Sequence, residues 1–178
     1  MAMLVKNWLN VLSYNEFYEL VLSDYAIQQR IVYVIDNQSR QVLVESQSDL
    51  LCETTPTIKV EQMERYNQSI FHFGQMLAKD VEHDGPVTCH AFRSYAGSPS
   101  FTEHTDPDDV YLYVLEGQKD IEMYGKVITI TAGDKLFIPA NTVHKAINTN
   151  ECLMLSFAME NYIQMKVNNE LDVLSKNY

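Results

Sequence analysis

Between residues 87 and 159 the chain alternates short apolar, β-branched runs with Gly, Asn and Pro punctuation, and no helical period intervenes. VTCHAFRSY (87–95), DVYLYVLEG (109–117), KDIEMYG (119–125), KVITIT (126–131), KLFIPA (135–140), HKAIN (144–148) and CLMLSFAM (152–159) each read as a strand. Consecutive parallel strands need a crossover, usually a helix, and the spacing leaves no room for one. The series therefore predicts an antiparallel sandwich or barrel.

The flanks read differently. Residues 1–29 have a helical period, with Leu4, Val5, Trp8, Leu9 and Leu12 on one face. Ser13 followed by Glu16 is a capping-box pattern that starts a second helix through Phe17, Leu20 and Val21. IVYVID (31–36) and QVLVES (41–46), joined by NQSR, predict a hairpin, and residues 47–58 with Pro56 predict a connection. Residues 60–83 predict a further helix carrying Met63, Ile70, Phe71, Met76, Leu77 and Val81, stopped by Asp84-Gly85-Pro86. In the tail, Ile163, Val167, Leu171 and Leu174 form one helical stripe, suited to packing on its own domain or on a second copy in a homodimer. One globular domain is expected: an N-terminal helical and hairpin region (1–86) packed on a barrel core (87–160), then a C-terminal helix (161–178).

The 178 residues are 46% apolar and 21% charged, an ordinary globular composition able to bury a core. A formal net charge of −11 and no Lys/Arg cluster argue against a nucleic-acid partner. Cys52, Cys89 and Cys152 are scattered and odd in number, which reads as reduced thiols rather than a disulfide framework. Asn7 and Asn10 interrupt the apolar N-terminal run, and no run approaches the roughly 18 apolar residues of a membrane span. A cytoplasmic protein with no membrane partner is expected.

Chemistry concentrates in FTEHTDPDDVYLYVLEGQK (101–119) and GDKLFIPANTVHKAIN (133–148). His104 and Asp106 are two residues apart, so on an extended segment both face the same side. Joined by His144, they make the two-histidine, one-carboxylate donor set of non-haem Fe(II) oxygenases. The second string resembles the second motif of the cupins, with Gly133, Pro139, His144 and Asn148 in its fixed places and Asn141 where a glycine is usual. The first resembles their His-x-His…Glu…Gly motif, with Asp106 for the second histidine and Val110 for the glutamate, so three ligands remain: His104, Asp106 and His144.

That pattern is similar to the JmjC-type Fe(II)/2-oxoglutarate oxygenases, above all the asparaginyl and ribosomal-protein hydroxylases. The resemblance spans about residues 88–159 and includes Lys119, fifteen residues after His104. It implies a double-stranded β-helix (cupin or jelly-roll) barrel, mainly β with flanking helices. It also implies Fe(II), with 2-oxoglutarate as cosubstrate and Lys119 pairing with its distal carboxylate. Where these enzymes often carry a threonine three residues before the first histidine, this chain has Phe101. Thr102, Tyr95 and Ser156 are then the candidates for the hydroxyl contact to the cosubstrate. The expected substrate is a peptide or protein side chain or a small molecule.

Duller roles are expected for the other polar residues. His72 and His83 read as helix histidines, His90 as a satisfied strand histidine, Asp108 and Asp109 as turn acids, and Tyr111 and Tyr113 as barrel packing. Two alternatives to the oxygenase stay open. One is a cupin that binds a metal or small acid as a sensor or auxiliary domain. The other is a cupin dioxygenase or isomerase acting directly on a small substrate.

Overall fold

The computed structural model describes residues 11–50 and 55–161, and the structural statements below concern those residues. In chain order they form α1 (Tyr14–Val21), α2 (Asp24–Gln28), β1 (Val32–Ile35), β2 (Gln41–Leu43), a 3-10 turn (Gln47–Leu50), β3 (Thr57–Val60), α3 (Met63–Tyr66) and α4 (Gln68–Asp80). Then come β4 (Val87–Ser94), β5 (Asp109–Met123), β6 (Lys126–Thr131), β7 (Lys135–Ile138), β8 (His144–Ile147) and β9 (Cys152–Met159). The fold is mainly β, every strand pair antiparallel, with the helices at the N-terminal end. No helix among the described residues is long and apolar enough to cross a membrane.

The first sheet runs β2-β1-β3-β4-β9-β5 and continues to β7 through the first half of β5. The second half of β5 lies between β6 and β8, forming a second sheet. Both faces of the first sheet are buried, and strand alternation divides them. Cys89, Ala91, Tyr113, Leu153, Leu155 and Phe157 meet the helical layer, including Phe17, Val21, Ile70 and Leu77. Val110, Leu112, Val114 and Met154 face the other way, toward Ile121, Met123 and Ile130 of the second sheet. Tyr111 and Tyr113 thus lie outside the barrel interior. Tyr113 packs edge-on against Phe73 of α4, and Tyr111 stacks on Phe137.

Gly117 is the hinge between the sheets. The sequence predicts a turn there, separating strands 109–117 and 119–125; instead β5 is one strand of 15 residues. Its register against β9 slips between Val114 and Glu116, and Gly117 follows at φ +77°. A bulge with a left-handed glycine bends and twists a strand without reversing it. The bend delivers Lys119 to the second sheet.

The capping box at the start of α1 is present: Ser13 Oγ accepts from the Glu16 amide at 3.3 Å, and Glu16 Oε2 accepts from the Ser13 amide at 2.8 Å. Residues 57–60 depart from expectation, since TIKV is a strand rather than connection and helix start. All four residues are buried, so the polar-out alternation that marks a strand is missing. The expected helix over 60–83 is the pair α3 and α4, divided at Asn67, whose side chain caps α4 by accepting from the Ile70 amide at 3.0 Å. The apolar stripes expected before residue 11 and after residue 161 lie outside the described residues, as does Cys52.

Candidate metal centre

His144 opens β8, and His104 lies in the segment entering β5. The two backbones form an isolated antiparallel bridge: the His104 amide donates to His144 O at 3.0 Å and the His144 amide to His104 O at 2.9 Å. Asp106 joins through the loop after Pro139, where its carbonyl accepts from the Asn141 amide at 2.7 Å. Asn141 adopts φ +60°, the left-handed conformation that a glycine supplies elsewhere and asparagine tolerates. Asp109 Oδ1 accepts from the Ala140 amide at 2.8 Å, a second strap on the same loop.

This backbone arrangement gathers one ligand atom from each of His104, Asp106 and His144 to within 4.8 Å of one another. The tautomers suit ligation. His104 Nδ1 lies 2.8 Å from Thr102 O and His144 Nδ1 lies 2.9 Å from Thr142 O. A carbonyl carries no proton, so each Nδ1–H is the donor and Nε2 is the ring nitrogen left for a metal. His144 Nε2 is 3.5 Å from Asp106 Oδ2. Two imidazoles and a carboxylate, oriented by backbone carbonyls, are a donor set that can hold a divalent metal ion. At the place of the usual cupin glutamate, Val110 is buried and apolar, so it adds no fourth donor.

The triad opens on a cavity of about 210 Å³ between the two sheets, also lined by Lys119, Ser156, His90, Lys59, Thr57 and Phe101. Lys119 is 2% exposed, and its ammonium donates to Ser94 Oγ at 2.8 Å and to Asn148 Oδ1. Loss of water around the charge pushes its pKa down to about 8. No carboxylate pairs with it among the described residues. Cys152, on the neighbouring strand, is pushed up to about 11 by its own burial, against the opposing pull of Lys119 and Arg93.

Ser156 faces the cavity, whereas Tyr95 and Thr102 are not among its lining residues. The Tyr95 hydroxyl pairs with Tyr18, and its ring lies 4.1 Å from the Arg93 guanidinium carbon. Thr102 serves through its carbonyl, on His104. His72 is exposed beside Gln68, and His83 bonds Pro86 O at 3.2 Å. Asp108 is a half-buried acid in the bend before β5 and accepts from the Asn161 amide at 3.0 Å.

His90 differs from the satisfied strand histidine expected: it faces the cavity, and its Nδ1 is buried with no hydrogen-bond partner. Burial, then the nearby Lys59 charge, push its pKa down to about 4, so it is neutral at pH 7. Ser94, Thr57 and Lys59 carry no sequence signal for the site. Thr57 and Lys59 belong to the unforeseen β3, and Ser94, at the end of β4 in the first sheet, reaches Lys119 only because the second half of β5 bends into the second sheet. Asn148 does carry a signal, as a fixed place in the motif of His144.

A cupin domain model matches residues 92–157, the stretch that supplies both halves of this site. The mainly β, antiparallel architecture around it is that of the cupin fold. Of solved structures, the ribosomal oxygenase YcfD from Escherichia coli is similar over 97% of this chain and 50% of that chain, at 16% identity and a TM-score of 0.66. The same protein in complex with cobalt and succinic acid gives 15% identity and a TM-score of 0.65 over 97% of this chain and 51% of that one. A cupin superfamily protein from Desulfitobacterium hafniense is similar over 42% of this chain and 68% of that chain, at 23% identity and a TM-score of 0.40. Identities this low speak for the fold alone, and the chain spans about half the length of the ribosomal oxygenase. No curated protein matches the sequence.

Proposed function

We propose that the chain is an Fe(II)/2-oxoglutarate-dependent oxygenase that hydroxylates a peptide or protein side chain or a small molecule. One observation carries the reading. The cavity that bears the His104, Asp106 and His144 donors also bears a buried ammonium, Lys119, with no carboxylate partner among the described residues. An unpaired buried cation is costly unless an anion visits it. A dicarboxylate answers both ends, one carboxylate at the metal and the other at Lys119. The ribosomal oxygenase that resembles this chain was solved with cobalt and succinic acid, a metal and a dicarboxylate.

In this reading His104, Asp106 and His144 hold iron, and the carbonyls of Thr102 and Thr142 keep both imidazoles in the ligating tautomer. Bound iron, with 2-oxoglutarate and dioxygen, supplies the chemistry that hydroxylates a C–H bond. Lys119 anchors the distal carboxylate, and Val110, Leu112, Ile121 and Met154 keep water from the cavity. A cavity of about 210 Å³ is smaller than the roughly 300–1,000 Å³ of most ligand pockets, so one side chain or one small molecule enters beside the cosubstrate.

The test is an anaerobic titration of the iron-loaded protein with 2-oxoglutarate. A weak visible metal-to-ligand absorption is expected, lost in Asp106→Ala and weakened in Lys119→Ala. Folded, iron-loaded protein with no such band would sink the proposal. A second reading, a metal cupin without 2-oxoglutarate chemistry, draws on the hydrogen bonds Lys119 already makes to Ser94 and Asn148. It requires that Lys119→Ala leave ligand binding unchanged.

A further inference from the structure

We propose that Asn148 is a positioning residue for Lys119, clamping its ammonium at the cavity floor and tying its place to β3 and to the loop before Phe101. The inference rests on the oxygenase reading only where it concerns 2-oxoglutarate; the clamp itself is a property of this chain's own residues. Asn148 is 7% exposed and stands just past the end of β8. Its amide nitrogen faces acceptors alone: Ser98 O at 2.9 Å, Pro99 O at 3.1 Å, Thr57 Oγ1 at 3.1 Å and Ser98 Oγ at 3.1 Å.

Those partners fix the orientation of the amide. Turned over, its oxygen would meet two carbonyl oxygens and its NH2 would meet an ammonium, so Oδ1 must point at Lys119 Nζ. The main chain reinforces the clamp, since Asn148 O accepts from the Gly97 amide at 2.7 Å. Lys119 is left with Ser94 Oγ and Asn148 Oδ1 as neutral partners, two acceptors for three N–H donors. A neutral clamp locates the ammonium without cancelling its charge, which a carboxylate in the same place would do. Thr57 and Ser98 close the circuit, Thr57 Oγ1 lying 3.0 Å from Ser98 Oγ and 2.5 Å from Pro99 O. The ionisable groups acting on the Lys119 charge are Cys152, Asp120 and Arg93.

Three variants test the assignment: Asn148→Asp, Asn148→Ala and the milder Thr57→Val, with Lys119→Ala as reference. Two readouts are taken on the full chain. One is 2-oxoglutarate affinity in the anaerobic iron-loaded protein. The other is the titration of Lys119, followed by NMR of its side-chain 13Cε in uniformly 13C-labelled protein. Asn148→Asp should raise the Lys119 pKa and weaken 2-oxoglutarate by at least about tenfold, the effect of neutralising a charged contact. Iron affinity at the triad should stay within about twofold, since no triad residue is touched. Asn148→Ala should weaken 2-oxoglutarate about tenfold, the mark of lost positioning in binding. Thr57→Val should shift both readouts the same way by a smaller factor, and it keeps the test alive if the Asn148 variants fold poorly. A Lys119 titration unmoved by Asn148→Asp, or by Thr57→Val if only that variant folds, overturns the clamp whatever the protein binds. Affinity lost in Lys119→Ala but kept in both Asn148 variants, or in Thr57→Val if only that variant folds, also overturns it. If Lys119→Ala itself leaves 2-oxoglutarate binding intact, the oxygenase reading fails, and the titration alone decides the clamp.

Discussion

His104 and His144, forty residues apart, exchange a pair of backbone hydrogen bonds at 3.0 and 2.9 Å, so the two imidazoles of the candidate metal centre rise from one main-chain bridge. Their rings stand 4.4 Å apart, centroid to centroid. The bridge depends on neither side chain.

Removing a ligand should therefore empty the site without unfolding its frame. Asp106 is 37% exposed at its side chain and contributes to the fold through its carbonyl. Asp106→Asn is expected to lower divalent-metal affinity by at least about tenfold, an anionic donor becoming neutral. Metal-free stability should move by no more than about 0.5 kcal/mol, as for other surface changes. Thermal unfolding with and without metal checks both, because the metal-dependent rise in Tm should shrink in the variant.

Lys119 should make anion binding pH-dependent. With its pKa at about 8, the ammonium is charged below that pH and neutral above it. The affinity for 2-oxoglutarate should hold steady below pH 8 and fall by about tenfold per unit above it. Stability runs the opposite way: burial penalises the charged form below pH 8, and the cost is relieved as pH rises from about 8 toward 10.5. Anaerobic titrations from pH 6.5 to 9.5 test this, and a flat profile would mean that Lys119 does not hold the anion.

His90 should set part of the acid limb of stability. It titrates at about 4 in the fold against 6.5 for a free histidine, with Lys59, Glu61 and Asp106 as its charged neighbours. The unfolded chain takes up this proton first, so the contribution is complete above pH 6.5 and is lost as pH falls to about 4. The shift is worth up to roughly 3 kcal/mol. Urea unfolding of His90→Gln should show a flatter decline across that window than the parent protein.

Gly117→Ala should be among the costliest single methyl additions in the molecule. An added Cβ would stand 2.0 Å from Glu151 O, and φ +77° is strained for any L side chain. A loss of at least about 2–4 kcal/mol is expected from denaturant unfolding. Gly125→Ala, also at positive φ but with no atom within 4 Å of its added Cβ, is the control and should cost about 1–2 kcal/mol.

The readings that survive folding rest on local chemistry. The capping box at Ser13 and Glu16 spans four residues and needs no tertiary partner, and it forms as written. Strands 126–131 and 152–159 stand where their β-branched and apolar runs placed them. The motif around His144 was legible through its resemblance to the second cupin motif, and Asn141, where a glycine is usual, takes the left-handed conformation at φ +60°. TIKV was not legible, since burial of all four residues erased the alternation and Lys59 broke the apolar run.

By itself the sequence determined the antiparallel class and the approach of His104 and Asp106 to a common face. Those are consequences of chain geometry at short range. Tertiary structure decided the rest. It decided that Gly117 bends one strand across two sheets rather than ending it, because Glu151 O on the neighbouring chain segment leaves no room for a Cβ. It brought His144 onto the backbone of His104 and set Asn148, Ser94 and Thr57 around one ammonium, through strand pairing and close packing between residues tens of positions apart. No local pattern encodes those meetings.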